Sequence, residues 1–195
     1  MQGQYRSLVV VVLAVFLSAA GAPVTTYFPG SKLGPVIAQE YADWFSKAKE
    51  PVLSQGTNTN YAVRVTVFQG TFVVLRIEKK SDGSVTSVFK HFCFLRTGVP
   101  MARSAVERSL ASTDFMRLSD AIERLGFFSV EPPDYVVTGT GPMYLVEVYD
   151  GAKYHVAERP ARETNTPFGT VAELAAEIAG IDYVATLSAP RERCQ

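Results

Sequence analysis

The chain has 195 residues, 47% of them hydrophobic, with 19 basic and 19 acidic side chains and a formal net charge of zero. Its Lys and Arg are scattered in runs no longer than two, which excludes the basic stripe that nucleic acid or an anionic membrane surface requires. Two histidines and two cysteines leave little material for a metal centre.

The first element is an export signal. Met1 and Arg6 supply positive charge, Leu8 to Leu17 is apolar, and Ser18-Ala19-Ala20-Gly21-Ala22 is a small-residue exit. Cleavage after Ala20 is preferred to cleavage after Ala22, because Pro23 would stand next to the latter bond. The competing reading is an uncleaved anchor over residues 8–24, a stretch softened by Ser18, Gly21 and Pro23. The expected location is therefore periplasmic or secreted. Residues 1–20 are the signal peptide, 21–60 a helix and polar linker, 61–187 one α+β domain, and 188–195 a tail.

Gly34 to Glu50 reads as the first helix, with Pro35 at a first helical position and Ile37, Tyr41, Trp44 and Ala48 on its buried face. Pro51 ends it, and Ser54 to Asn60 is the linker. From Tyr61 the period becomes two. Tyr61, Val63, Val65 and Val67 form an apolar face, and a Phe68-Gln69-Gly70 turn pairs Val65 with Val73 and Val63 with Leu75. Ser81-Asp82-Gly83 leads into a strand from Ser84 to Leu95, apolar in part on both faces.

Gly98 and Pro100 then break the sheet, with a short helical turn around Ser104 to Leu110. A helix from about Thr113 to Leu125 follows, capped by Ser112 or Thr113, with Gly126 past its end. A hairpin turning at Tyr149-Asp150-Gly151 sets Glu147 opposite Lys153, and a capping box at Thr170 to Glu173 starts the last helix. The expected fold class is α+β: an antiparallel sheet of about five strands with two or three helices packed on one face, in the order α-βββ-α-ββ-α.

Leu125-Gly126-Phe127-Phe128, the Asp150-Gly151 turn, and Tyr154-His155-Val156 followed by Arg159 carry a resemblance. Over about residues 61–182 the chain resembles small exported bacterial domains of unknown function, in which a Gly-Phe-aromatic helix exit precedes a Tyr-His-Val hairpin strand. It departs from them at Gly141-Pro142, where Asp-Gly usually enters the hairpin. The resemblance implies the fold and export, and no mechanism.

Cys93 and Cys194 read as one disulfide in an oxidising compartment. It would close a loop of about 100 residues, worth ~4–5 kcal/mol in the chain-entropy model, and would pin the tail. His91 and Cys93 share a strand face about 7 Å apart, but their apolar neighbours favour core packing over a reactive dyad. Glu147 and His155 form a second conceivable acid–base pair, and the turn aspartates Asp82 and Asp150 read as backbone binders rather than metal ligands. No Walker loop, GxGxxG or EF-hand is present, so no cofactor or metal is expected. The expected function is a protein-binding or accessory module of the cell envelope (an inhibitor, immunity-type or assembly partner). Its partner is another envelope or extracellular protein, with no nucleic acid and no membrane after signal cleavage. Arg64, Phe72 and Arg76 are the expected binding surface if the helix at 34–50 leaves them uncovered. The alternative is a small secreted hydrolase using His91/Cys93 or Glu147/His155.

Overall fold

The computed structural model describes residues 27–29, 33–55, 59–68, 72–95, 99–130, 142–160 and 165–182, apart from the side chains of Phe94 and Arg103. The export segment, either cleavage site, the anchor alternative and Cys194 lie outside the described residues. The elements are α1 (Pro35–Lys47), β1 (Thr59–Phe68), β2 (Phe72–Lys80), β3 (Val85–Phe94), β4 (Pro100–Ser109), α2 (Ser112–Arg124), β5 (Met143–Tyr149), β6 (Tyr154–Pro160) and α3 (Pro167–Ala179). Among the described residues six strands form one antiparallel sheet in the order β4-β3-β2-β1-β5-β6. The class is α+β and the order α-βββ-α-ββ-α is extended by one strand, β4.

Valine alternation makes the first face. Val63, Val65 and Val67 of β1 stand between Ile77, Leu75 and Val73 of β2 and Val148, Val146 and Tyr144 of β5. Phe115, Leu118 and Ile122 of α2 and Phe168, Val171 and Ala175 of α3 close this face. The first hairpin is displaced by two residues from the expected register, so Val65 meets Leu75 rather than Val73. A shift of two keeps every side chain on its face, which is why the apolar face survives it.

The opposite face is covered by α1. Its Ala38, Tyr41, Ala42 and Phe45 pack with Phe72, Val74, Phe92, Leu145 and Val156. Trp44 stacks on Phe72 with ring centroids 5.7 Å apart, and Phe72 stacks on Phe92 at 4.3 Å. Two helices therefore share one face and α1 takes the other. Residues 33–55 are a layer of the domain rather than a prefix standing away from it.

Several ends differ from expectation. β4 occupies the segment expected to break the sheet and turn helically; its pairing with β3 supplies order that Arg-Ser-Ala-Val-Glu-Arg-Ser does not signal by alternation. α1 stops at Lys47 in a Schellman-type turn: Glu50 N–H donates to Phe45 O (2.9 Å) and Lys49 takes φ +53°. α2 is capped at Ala111, without the expected side-chain cap. α3 begins a turn early, because Pro167 fits a first helical position and Thr166 Oγ1 accepts from Gly169 N–H at 3.2 Å.

Candidate functional site

The face under α1 carries charge. Cross-strand register places Arg64 of β1 between Arg76 of β2 and Glu147 of β5. Arg64 and Glu147 are each 0% exposed. Arg64 donates from Nε to Glu147 Oε2 (2.5 Å), from Nη2 to Glu147 Oε1 (2.7 Å), and from Nη1 to Pro51 O (2.9 Å). Its guanidinium carbon lies 3.9 Å from the centre of the Phe45 ring. Tyr154 Oη donates to Glu147 Oε1 at 2.8 Å. The pair is thus bidentate and further held by the Pro51 carbonyl acceptor, the Tyr154 hydroxyl donor and the Phe45 ring, the geometry a buried ion pair needs to offset its desolvation.

Glu50, brought over the sheet by the turn after α1, is the second carboxylate. It pairs with Arg76, with Lys90 Nζ at 2.5 Å and, at 3.7 Å, with Arg64. Arg76 Nε also meets Glu78 Oε1 at 2.9 Å, and Tyr27 Oη donates to the Glu50 carbonyl at 3.2 Å. Among the described residues three cations (Arg64, Arg76, Lys90) face three carboxylates (Glu50, Glu78, Glu147), so their charges balance. It has the chemistry of a clasp between α1 and the sheet rather than of a ligand site.

The protonation states follow from these contacts. Burial alone would raise the Glu50 pKa, but Arg76, Arg64 and Lys90 hold it below the ordinary glutamate range. Burial raises the Tyr154 hydroxyl well up, assisted by Glu147, and does the same for Tyr41, whose Oη donates to Glu158 Oε1 at 2.9 Å. Burial also raises the Glu158 carboxyl despite that bond. A carboxylate with a depressed folded pKa contributes stability that is complete above the unfolded value, about 4.3, and lost as pH falls through the folded one. Glu158 has the opposite sign and acts above about 4.3, where its raised folded pKa lowers stability as pH rises. Urea midpoints of the wild type should therefore fall steeply below about pH 4.3, and the curve for Glu50→Gln should be flatter there. Parallel curves in that range would contradict the clasp.

The expected binding surface is not on the surface. Arg64 and Phe72 are 0% exposed and the Arg76 side chain 11% exposed, because α1 covers them. The Glu147/His155 pair is also separated. The turn, Asp150 to Lys153, is one residue longer than the expected Tyr149-Asp150-Gly151 and moves the register by three, with Asp150 N–H donating to Lys153 O (3.1 Å) and Gly151 at φ +88°. Glu147 consequently faces Val156 rather than Lys153, and His155 pairs with Val148 on the other side of the sheet. There its ring meets Phe127 edge-on at 5.4 Å. An odd-numbered displacement of register reverses the face of every side chain, which separates the two.

His91 stands between Val73 and Ser104, and Cys93 is buried opposite Met101 with Sγ 3.7 Å from the Met101 carbonyl oxygen. They share one sheet face, His91 half-buried and Cys93 buried, which shelters the sulfur rather than presenting it as a nucleophile. Asp82 Oδ1 accepts from Ser84 N–H and Oγ, and Asp150 Oδ1 from the N–H groups of Ala152 and Lys153, so both aspartates are turn formers. Among the described residues no group of three or more His, Cys, Asp or Glu could hold a metal ion. No helix among them is long and apolar enough to cross a membrane.

What the sequence reading missed is β4. It is an edge strand among the described residues, and its described side chains from Met101 to Ser109 are exposed. Among the described residues five large hydrophobic side chains are exposed, and three of them, Val99, Met101 and Val106, lie on or beside this strand. Met101 is opposite Cys93 and Val106 opposite Phe89, positions of one sheet face. The available signal was Val99-Pro100-Met101 itself, an apolar group directly after Gly98. No family model matches the chain, and no curated protein is similar to it.

Proposed function

We propose that this chain is an exported protein-binding or accessory module of the cell envelope, of the inhibitor, immunity or assembly-partner kind, and that it docks its partner on the β4 patch. The observation that carries the reading is the concentration of exposed apolar side chains at Val99, Met101 and Val106 on one edge of a sheet covered elsewhere by helices. A monomer gains nothing by leaving such a patch in water, and Met is among the side chains enriched in interface cores. The self-balanced charge cluster under α1 supports a rigid scaffold more than a reactive one. The reading includes export by residues 1–20, kinship with the small exported domains that share the Gly-Phe-Phe and Tyr-His-Val motifs, and a Cys93–Cys194 disulfide.

The test is capture from an envelope extract of the host with oxidised protein of residues 21–195. Wild type should retain a stoichiometric protein partner. The Met101→Ser/Val106→Ser double variant should lose at least about tenfold of that retention with unchanged circular dichroism, since burying each side chain contributes roughly 1.5–3 kcal/mol. A partner held equally by both proteins, or no partner at all, would overturn the assignment of the patch.

A further inference from the structure

Met101 owes its place in the apolar patch to a break in the β3–β4 ladder. His91 stands opposite Ser104 and Phe92 opposite Ala102, so Arg103 is an extra residue with none opposite it on β3. In an unbroken strand, positions 101 and 106 are an odd number of residues apart and point to opposite faces. The bulge reverses the alternation and puts Met101 on the face of Val106. The thioether is 42% exposed there, with Val106 at 40% and Val99 at 37%.

Exposure then decides which sulfur meets an oxidant. Cys93 is buried and Met143 half-buried, whereas Met116 on α2 is 52% exposed. A neutral thioether has no proton to lose, so its polarizable lone pair attacks wherever solvent delivers an electrophilic oxygen. Among the described residues the accessible sulfurs are therefore Met101, inside the patch, and Met116, on a helix outside it.

We propose that Met101 is a modification site for hydrogen peroxide, and that its sulfoxide closes the β4 patch to an apolar partner. The sulfur lone pair attacks one peroxide oxygen and the O–O bond breaks. An S–O bond forms, and the departing hydroxide takes the proton of the transferred oxygen and leaves as water. Sulfur is oxidised by two electrons and the peroxide is reduced by two. The product replaces a soft apolar group with a dipole that carries a strong acceptor oxygen. Docking would take that oxygen out of water, a cost that an apolar contact does not offset. The control of docking rests on the binding reading of this patch; the site of oxidation stands without it.

The test treats the protein isolated from its host with hydrogen peroxide and follows each methionine by peptide mass. Met101 and Met116 should gain one oxygen ahead of Met143. In Met116→Leu, which removes the exposed thioether outside the patch, peroxide should shorten retention on a phenyl matrix. It should also lower retention of the envelope partner at least about tenfold. In Met101→Leu, treated and untreated protein should behave alike on both. Met101 left unmodified while Met143 gains oxygen would overturn the site. A Met101 sulfoxide that leaves phenyl retention unchanged would overturn the change of polarity, and a partner held equally before and after oxidation would overturn the control of docking. If untreated protein holds no partner, the binding reading fails, and peptide mass with phenyl retention still decides the oxidation and its effect on the patch.

Discussion

Glu147→Ala should lower the unfolding free energy by about 3–5 kcal/mol, the largest single effect expected of a charged residue in this protein. The loss has little to do with the attraction between Arg64 and Glu147 as such. Arg64 cannot leave its position: it is 0% exposed, one nitrogen is committed to Pro51 O, and Phe45 lies against its face. Removing the carboxylate leaves a buried guanidinium whose remaining anion among the described residues is Glu50, 3.7 Å away and shared with Arg76 and Lys90. It also deprives Tyr154 Oη of its acceptor. The second variant separates these effects. Arg64→Met/Glu147→Leu removes both charges and keeps volume, and should regain more than half of the loss. Urea denaturation of the two proteins checks both statements. By contrast, the exposed Arg117–Glu177 pair, at 3.0 Å, should contribute no more than about 1 kcal/mol.

Phe45→Ala should cost about 3–5 kcal/mol and loosen α1 from the sheet. Phe45 is 0% exposed and joins both halves of the second face. It touches the rings of Tyr27, Phe28 and Tyr41, with centroids 5.9, 6.0 and 6.1 Å away, and carries the Arg64 guanidinium. Its removal opens a cavity against a buried cation, so collapse of the site is restricted and the cost belongs at the upper end of the range. Amide exchange should show α1 accelerated more than α2 or α3, because the opposite face is a separate apolar cluster. Uniform acceleration of all three helices would mean that the two faces unfold as one unit.

The two predictions concern the same layer, and that layer was only half legible in the sequence. Tyr41 and Trp44 marked a buried stripe, yet the stripe turned by one position to centre on Ala38, Tyr41, Ala42 and Phe45. Arg64, Arg76 and Glu147 stood out as charges within apolar strands. A charge at an interior strand position can mean an exposed face or a paired buried one. Local pattern does not separate the two, because burial is decided by what lands on the face afterwards. Glu50 and Lys90 gave no local signal; each matters through a partner dozens of residues away.

By itself the sequence determined the elements whose signals are local. Valine alternation along β1 and β2, the apolar spacing of Phe115, Leu118 and Ile122, and the turn chemistry of Asp82 and Asp150 all act within a few residues, and the structure contains each of them. The tertiary structure alone decided what depends on distant contacts. It made a strand of Pro100–Ser109 by hydrogen bonding it to β3, and it laid α1 on the face opposite α2 and α3. It also set the β5–β6 register that sends Glu147 to Arg64 and His155 to Phe127. The physical reason is common to all three. Local propensities differ by about 1 kcal/mol or less per residue, whereas burying an aromatic side chain or completing a buried ion pair is worth several, so the long-range terms choose among locally similar alternatives.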